Sequence, residues 1–208
     1  MKKYLSERYF ISQRVIGKEG SILEYFELLR EDGNKLGKCK ERNQVHQDGD
    51  WHGGSHVWVV RRNDNHELEV LLQKRRMDKD SFPGCLDVSC AGHMTAGEDF
   101  LSTALRELKE ELGIDAKEEQ LYFLFSQNVE GKYVFHGKPF YNREVNYVYL
   151  LEPEVSLEKL SYQPEEIEEL KWVPMKELIS NIRKKDPGYC IIDSEMERLY
   201  DYLQQSDI

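Results

Sequence analysis

The segment from Gly92 to Ile114 constrains what this chain can fold into more tightly than any other. From about Glu98 to Leu112, the residues Leu101, Leu105, Leu108 and Leu112 recur at a spacing that stacks them on one side of an α-helix, with Ala104 at the edge of the stripe. On the other side Glu107, Glu110 and Glu111 crowd into one arc. Like charges a turn apart destabilise a bare helix by roughly a few tenths of a kcal/mol. A helix that packs one face and concentrates carboxylates on the other is therefore expected to hold a cation there. An all-oxygen donor set suits Mg²⁺ or Mn²⁺. Gly113 is placed to stop the helix, and Thr95 and Glu98 have capping-box spacing at its start.

The flanking sequence alternates strands with helices. Residues 1–20 show no clean period and read as an irregular or helical arm. Ile22 to Leu29 and Leu36 to Glu41, separated by Glu31-Asp32-Gly33-Asn34, read as a β-hairpin. His56 to Val60, Leu68 to Gln73 and Leu86 to Cys90 read as strands, followed by a loop from Gly92 to Gly97. Beyond the helix, Gln120 to Gln127, Lys132 to His136, Glu144 to Leu151 and Glu168 to Val173 are strand candidates. Met175 to Lys184 and Asp193 to Gln205 are helix candidates. The interleaving predicts an α/β sandwich around a mixed β-sheet, with an N-terminal hairpin extension over residues 1–50, a main domain over 51–185 and a C-terminal helix over 186–208.

Composition narrows the function. A net charge of -10 argues against a general affinity for nucleic acid backbones. Small anionic substrates remain compatible, because a bound cation reverses the local potential. No apolar run reaches membrane-spanning length, and Glu7 and Arg8 interrupt any signal-peptide core. The four cysteines, at 39, 85, 90 and 190, form no CxxC pair, so reduced thiols in a cytoplasmic protein are expected.

Gly92, Glu98, Arg106, Glu107, Leu108, Glu110, Glu111, Gly113 and Ile114 fill every defined slot of the signature of the Nudix superfamily, which this chain resembles. Weaker similarity runs over roughly residues 50–180, through LLQKRR, PGCLDVSCAGH and the segment from Pro164 to Val173. The resemblance implies a Nudix α/β/α sandwich that hydrolyses a small-molecule diphosphate linked to some moiety X. It implies that Glu107, Glu110 and Glu111, with the Gly92 carbonyl, hold Mg²⁺ or Mn²⁺. It also implies that Arg106 belongs to the catalytic set and, with Glu98, orients the carboxylates, Glu98 and Gly113 being structural in the box. A closer resemblance is to the isopentenyl diphosphate isomerase branch. There Ser89-Cys90-Ala91-Gly92-His93 matches a cysteine-bearing segment, Glu144 a catalytic metal-linked glutamate, and His46 and His52 metal-binding histidines. The isomerase cysteine, however, immediately precedes the Gly-His pair, where this chain has Ala91. A one-residue shift in a strand turns a side chain to the opposite face. Hydrolysis is therefore the expected reaction, with isomerisation and a non-catalytic nucleotide-ligand sensor as alternatives.

Several residues carry two readings. Lys74 and Arg75, with Arg76, either face the phosphates as substrate-binding groups or form a solvated strand end. Glu144 is either catalytic or a polar strand opener. Glu165 and Glu166 read as solubilising charges unless one supplies the base. Cys90 reads as a small buried residue, and His46, His52 and His56 as surface or packing residues. Trp58 and Trp172 read as core, while Phe140 and Tyr141 offer rings for a planar group. The hairpin extension offers an edge for a homodimer.

Overall fold

A computed structural model describes residues 15–16, 22–79, 81–135, 137–152 and 160–205. Apart from the short strand β1 (Val15–Ile16), which pairs with β2 (Ile22–Leu23), the expected N-terminal arm lies outside the described residues. The hairpin is present as β3 (Tyr25–Leu29) and β4 (Lys35–Glu41), with the Asn34 N–H donating to Asp32 Oδ1 at 3.0 Å across the turn. Next comes a helix with no counterpart in the sequence reading, α1 (Arg42–Asp48), whose first turn is capped by the Glu41 side chain accepting from the Gln44 N–H. Its seven residues include a single aliphatic side chain, Val45, too little for a periodic stripe.

The central sheet is built on β5 (His52–Arg62), which runs four residues further upstream than its hydrophobic run suggested. One edge of β5 pairs in parallel with β10 (Lys138–Leu151). Its other edge pairs first with β8 (Cys90–His93), at Gly54 to Val57, and then with β6 (Leu68–Arg75), at Val60 to Arg62. The edge of β6 beyond β5 takes β11 (Ile167–Pro174), while near Gln73 the edge facing β5 pairs with β7 (Leu86–Asp87). The single strand expected at Leu86 to Cys90 is therefore two, and the second continues through Gly92 into what the sequence read as loop. The two strands expected at 120–127 and 132–136 are one, β9 (Leu121–Phe135), because Asn128 to Gly131 keep pairing with Val145 to Asn142 of β10.

Strand alternation divides the sheet between two cores. Val57, Val59, Leu71, Cys90, Tyr149 and Leu151 pack under α2 (Phe100–Leu112), meeting Ala104, Leu108 and Leu112. Trp58, Val60, Leu72, Val148 and Leu150 face the other way. They meet Leu178 and Ile182 of α3 (Met175–Arg183) and Met196, Leu199 and Leu203 of α4 (Asp193–Gln205). The result is the expected α/β/α sandwich on a mixed sheet. Helix α2 starts two residues later than expected: its capping box is formed by Asp99 and Ser102, not by Thr95 and Glu98. Gly113 ends it at φ 68°, in the left-handed conformation open to glycine. Among the described residues, no helix is long and apolar enough to cross a membrane.

Leu108 is fully buried between α2 and the sheet. Leu108→Ala is expected to lower stability by about 2–5 kcal/mol, as large-to-small core changes do. Urea unfolding checks this, and a loss below about 1 kcal/mol would show that this face of α2 is not the packed one.

Candidate metal and diphosphate site

The second half of α2 and Glu98, just before the helix, set carboxylates around one guanidinium. Arg106 Nε donates to Glu98 Oε1 at 2.7 Å and Nη2 to Glu98 Oε2 at 3.1 Å, a bidentate pair. Nη1 donates to Glu107 Oε1 at 2.7 Å and to Glu110 Oε2 at 3.3 Å, and Nη2 also donates to the His93 carbonyl at 3.1 Å. The N–H groups of Arg106 are thus committed to protein oxygens, which makes it an organiser of the array. Glu98 also accepts from the Thr95 N–H and the Thr103 hydroxyl, so its position is fixed from three sides.

Glu107 lies directly against Gly92: a Cβ there would come within 1.9 Å of Glu107 Oε1. Burial pushes the Glu107 carboxyl up to about 7, against the pull of Arg106. Burial and the charge of Glu107 push Glu111 up to about 8. Two carboxyls held so far above their ordinary range are strained as anions until positive charge joins them. Carboxylate oxygens on one helix face, Glu107 and Glu110 both bound by Arg106 and Glu107 against the backbone of Gly92, are of the donor type that fits Mg²⁺ or Mn²⁺.

On the opposite side of β8 lies a second donor set. Ligating atoms of His46, His52 and His93 lie within 4.8 Å of one another. Glu144 Oε1 lies 2.9 Å from His93 Nε2 and 3.6 Å from His52 Nε2. Phe26 stacks on His52 and His93 and Phe140 on His46, which fixes the rings. Burial, then the neighbouring imidazoles, hold His46 down to about 3, and burial lowers His93. Glu144 is held well below the usual carboxylate range because His52 and His93 outweigh its burial. Both ring nitrogens of His46 and Nε2 of His52 are buried with no hydrogen-bond partner among the described residues. Imidazoles grouped with a carboxylate, the His46 ring with both nitrogens open, suit a transition-metal ion. His46 and His52 are therefore buried cluster members and not surface residues. His93 joins them, although the sequence reading had noted it only as a neighbour of Gly92.

The carboxylate set and, from the second set, His93 and Glu144 line one cleft of about 390 Å³, while His46 and His52 lie behind it. Its lining includes Glu107, Glu110, Glu111, Glu144 and Gly92. Cationic side chains Arg42, Arg75 and Lys79 also line it, Arg75 being braced by Asp87 and Ser81. Lys74 is not in the lining; its Nζ pairs with Glu168 at 2.7 Å on the neighbouring strand. Glu166 and Phe140 line the cleft, whereas Glu165, Tyr141 and Cys90 do not. Trp172 lies under the Arg61 guanidinium, 4.2 Å from its ring centroid. Trp58 is buried as expected, and its Nε1 donates to Glu195 at 2.8 Å. Glu195 itself escaped the sequence reading. The signal was there: at the spacing of Glu195, Leu199 and Leu203, a carboxylate occupies the apolar stripe of the last helix.

The NUDIX domain family matches residues 53–192, and the chain belongs to that family. It is 39% identical over 189 residues to Nudix hydrolase 3 of Arabidopsis thaliana, covering 88% of this chain and 23% of that protein. The isopentenyl-diphosphate Delta-isomerase of Dinoroseobacter shibae is 31% identical over 70% of this chain and 77% of its own length. A solved Deinococcus radiodurans structure shares the fold, at a TM-score of 0.57 and 19% identity over 77% of this chain and 90% of that one. The chain thus spans under a quarter of the Arabidopsis protein's length, and its relatives carry the names of both Nudix hydrolases and isopentenyl-diphosphate isomerases.

Gly92→Ala tests the carboxylate geometry. The added methyl collides with Glu107, so Mn²⁺ affinity is expected to drop at least about tenfold while the sandwich stays folded. Titration followed by electron paramagnetic resonance reads this, and an unchanged affinity would exclude Glu107 as a ligand.

Proposed function

We propose that this chain hydrolyses a P–O–P bond of a small-molecule diphosphate, with Mg²⁺ or Mn²⁺ as cofactor. The observation that carries the reading is the array of Glu107, Glu110 and Glu111, the first two held by Arg106, opening on a cleft whose lining includes Arg42, Arg75 and Lys79. Glu107, Glu110, Glu111 and the Gly92 carbonyl would hold the ion, which supplies charge neutralisation on phosphate oxygens and lowers the pKa of bound water. Arg42, Arg75 and Lys79 draw the diphosphate into the cleft and offset its charge. A cleft carboxylate takes the proton of the attacking water as the new P–O bond forms, and the bridging oxygen leaves with the departing phosphate. Arg106 and Glu98 hold the carboxylates in place and touch no substrate.

A second reading, isoprenoid diphosphate isomerisation, is favoured by the cluster of His46, His52, His93 and Glu144. Cys90 weighs against it. Its thiol is buried on the α2 side, where burial and Glu111 raise its pKa well above the ordinary range, and it does not reach the cleft. Ala91, Gly92 and His93 of that strand line the cleft, and none of them carries a thiol. The four free cysteines support a cytoplasmic setting. A 1–50 extension, a 51–185 domain, a 186–208 helix and a homodimer through the hairpin edge belong to the same proposal.

A metal-supplemented screen over nucleoside diphosphates, nucleotide sugars, dinucleotides, thiamine-type and isoprenoid diphosphates, scoring phosphate release and isomerisation, identifies the reaction. Glu107→Gln and Glu111→Gln are each expected to cut phosphate release by about a hundredfold or more, with unchanged circular dichroism. Full activity in both variants would sink the hydrolase reading. Cys90→Ala is expected to leave turnover within about twofold, and loss of an isomerase activity in that variant would favour the second reading.

A further inference from the structure

His56 lies on β5 in the cleft lining, between the two donor sets and the C-terminal helix. Its Nδ1 is 2.9 and 3.0 Å from the two oxygens of Glu195, and its side chain keeps 15% of its surface open. The Nε2 edge makes no hydrogen bond among the described residues and is not among the enclosed, unpartnered atoms. Glu195 is fully buried and also accepts from Trp58 Nε1 at 2.8 Å and from Gln127 Nε2 at 2.5 Å. A buried carboxylate on an otherwise apolar helix face has a large desolvation cost. Here donors from β5 and β9 gather on it, and only one of them, His56, also faces the cleft.

We propose that His56 is a substrate-binding residue, donating from Nε2 to an anionic oxygen of the diphosphate, with Glu195 of α4 as the positioning residue that orients it. The inference rests on the diphosphate reading of the cleft and adds to it a recognition group supplied through a helix that extends beyond the family match. The charged groups around His56 agree. Burial disfavours the imidazolium, but Glu195, by charge and hydrogen bond, with Glu144 and Asp87 further away, carries it up to about 9. With Nδ1 facing Glu195, the protonated ring presents Nε2–H as a donor at neutral pH. Because its folded pKa is raised above the usual 6.5, that donor is complete below about pH 6.5 and is lost as pH rises through about 9.

The probe is methylenediphosphonate, a non-hydrolysable diphosphate, titrated calorimetrically into the magnesium-loaded protein at pH 6 and pH 8. His56→Gln is expected to weaken binding by about ten- to a hundredfold at both pH values, the range of a hydrogen bond to a charged group. Glu195→Gln returns His56 towards its ordinary pKa, so it is expected to weaken binding at pH 8 and approach wild type at pH 6. A merely structural role for Glu195 would give the same loss at both pH values and would overturn the proposal, as would an unaffected His56→Gln. Should Glu195→Gln fail to fold, imidazole ¹⁵N NMR of the wild type decides. The His56 signal must stay in the imidazolium range to near pH 9 and move on saturation with probe; titration near pH 6.5, or no response, overturns the assignment. Binding through His56 without turnover of any diphosphate would leave this inference standing and remove the hydrolase reading. Turnover with an indifferent His56 would do the reverse.

Discussion

The guanidinium of Arg106 is the constraint on which the site depends. It joins the loop before α2 through Glu98, strand β8 through the His93 carbonyl, and the helix itself through Glu107 and Glu110. A Lys in its place would offer one point of charge where a planar fork now serves several oxygens. Burial, with the charge of neighbouring glutamates behind it, pushes Glu107 and Glu111 far up, and the single cation Arg106 does not offset it. The array is thus rigid and electrostatically incomplete, and these are the two properties a metal site requires.

Strand β8 then decides what lies on each side of it. Successive side chains of a strand point to opposite faces. Cys90 and Gly92 therefore turn toward α2, the first into its core and the second against Glu107. Ala91 and His93 turn the other way, the first onto the core under α4 and the second toward Glu144. Two adjacent residues, Gly92 and His93, thereby border a hard oxygen set and a set rich in imidazole. The same alternation places Ala91, with no reactive group, where an isomerase-like thiol would have to stand.

The carboxylate helix was legible because its signal is dense and local: the leucine stripe, the acidic arc and Gly113 all lie within a few turns. The layered sheet followed from alternating apolar runs, and its two cores can be read in Val57 and Val59 against Trp58 and Val60. What escaped depends on contacts between distant residues. His46 and His52 stand out only through the resemblance, and His93 not at all, until α1, β5 and β8 bring the three together, and α1 is too short to announce itself. The break between β7 and β8 and the continuity of β9 through Gly131 are set by pairing partners, which no local pattern encodes. Lys74 and Arg75 were equivalent on paper, yet strand alternation sends Arg75 to the cleft and Lys74 to Glu168.

The position of these contributors relative to the family match gives the last step. The carboxylates, Glu144, His56 and His93 lie within residues 53–192, whereas Arg42 and His46 precede that stretch and Glu195 follows it. Under the proposed function the shared portion would provide the reactive array, while α1 brings Arg42 to the cleft and α4 meets it through Glu195, which holds His56. Chemistry tolerates little variation in the array, because a shift of about an ångström in a reacting group costs orders of magnitude in rate. The residues around the array would need only to match the bulk and charge of the group attached to the proposed diphosphate. A chain with an intact box can therefore share most of its sheet with both hydrolases and isomerases and still differ from them in substrate, through two helices at its ends.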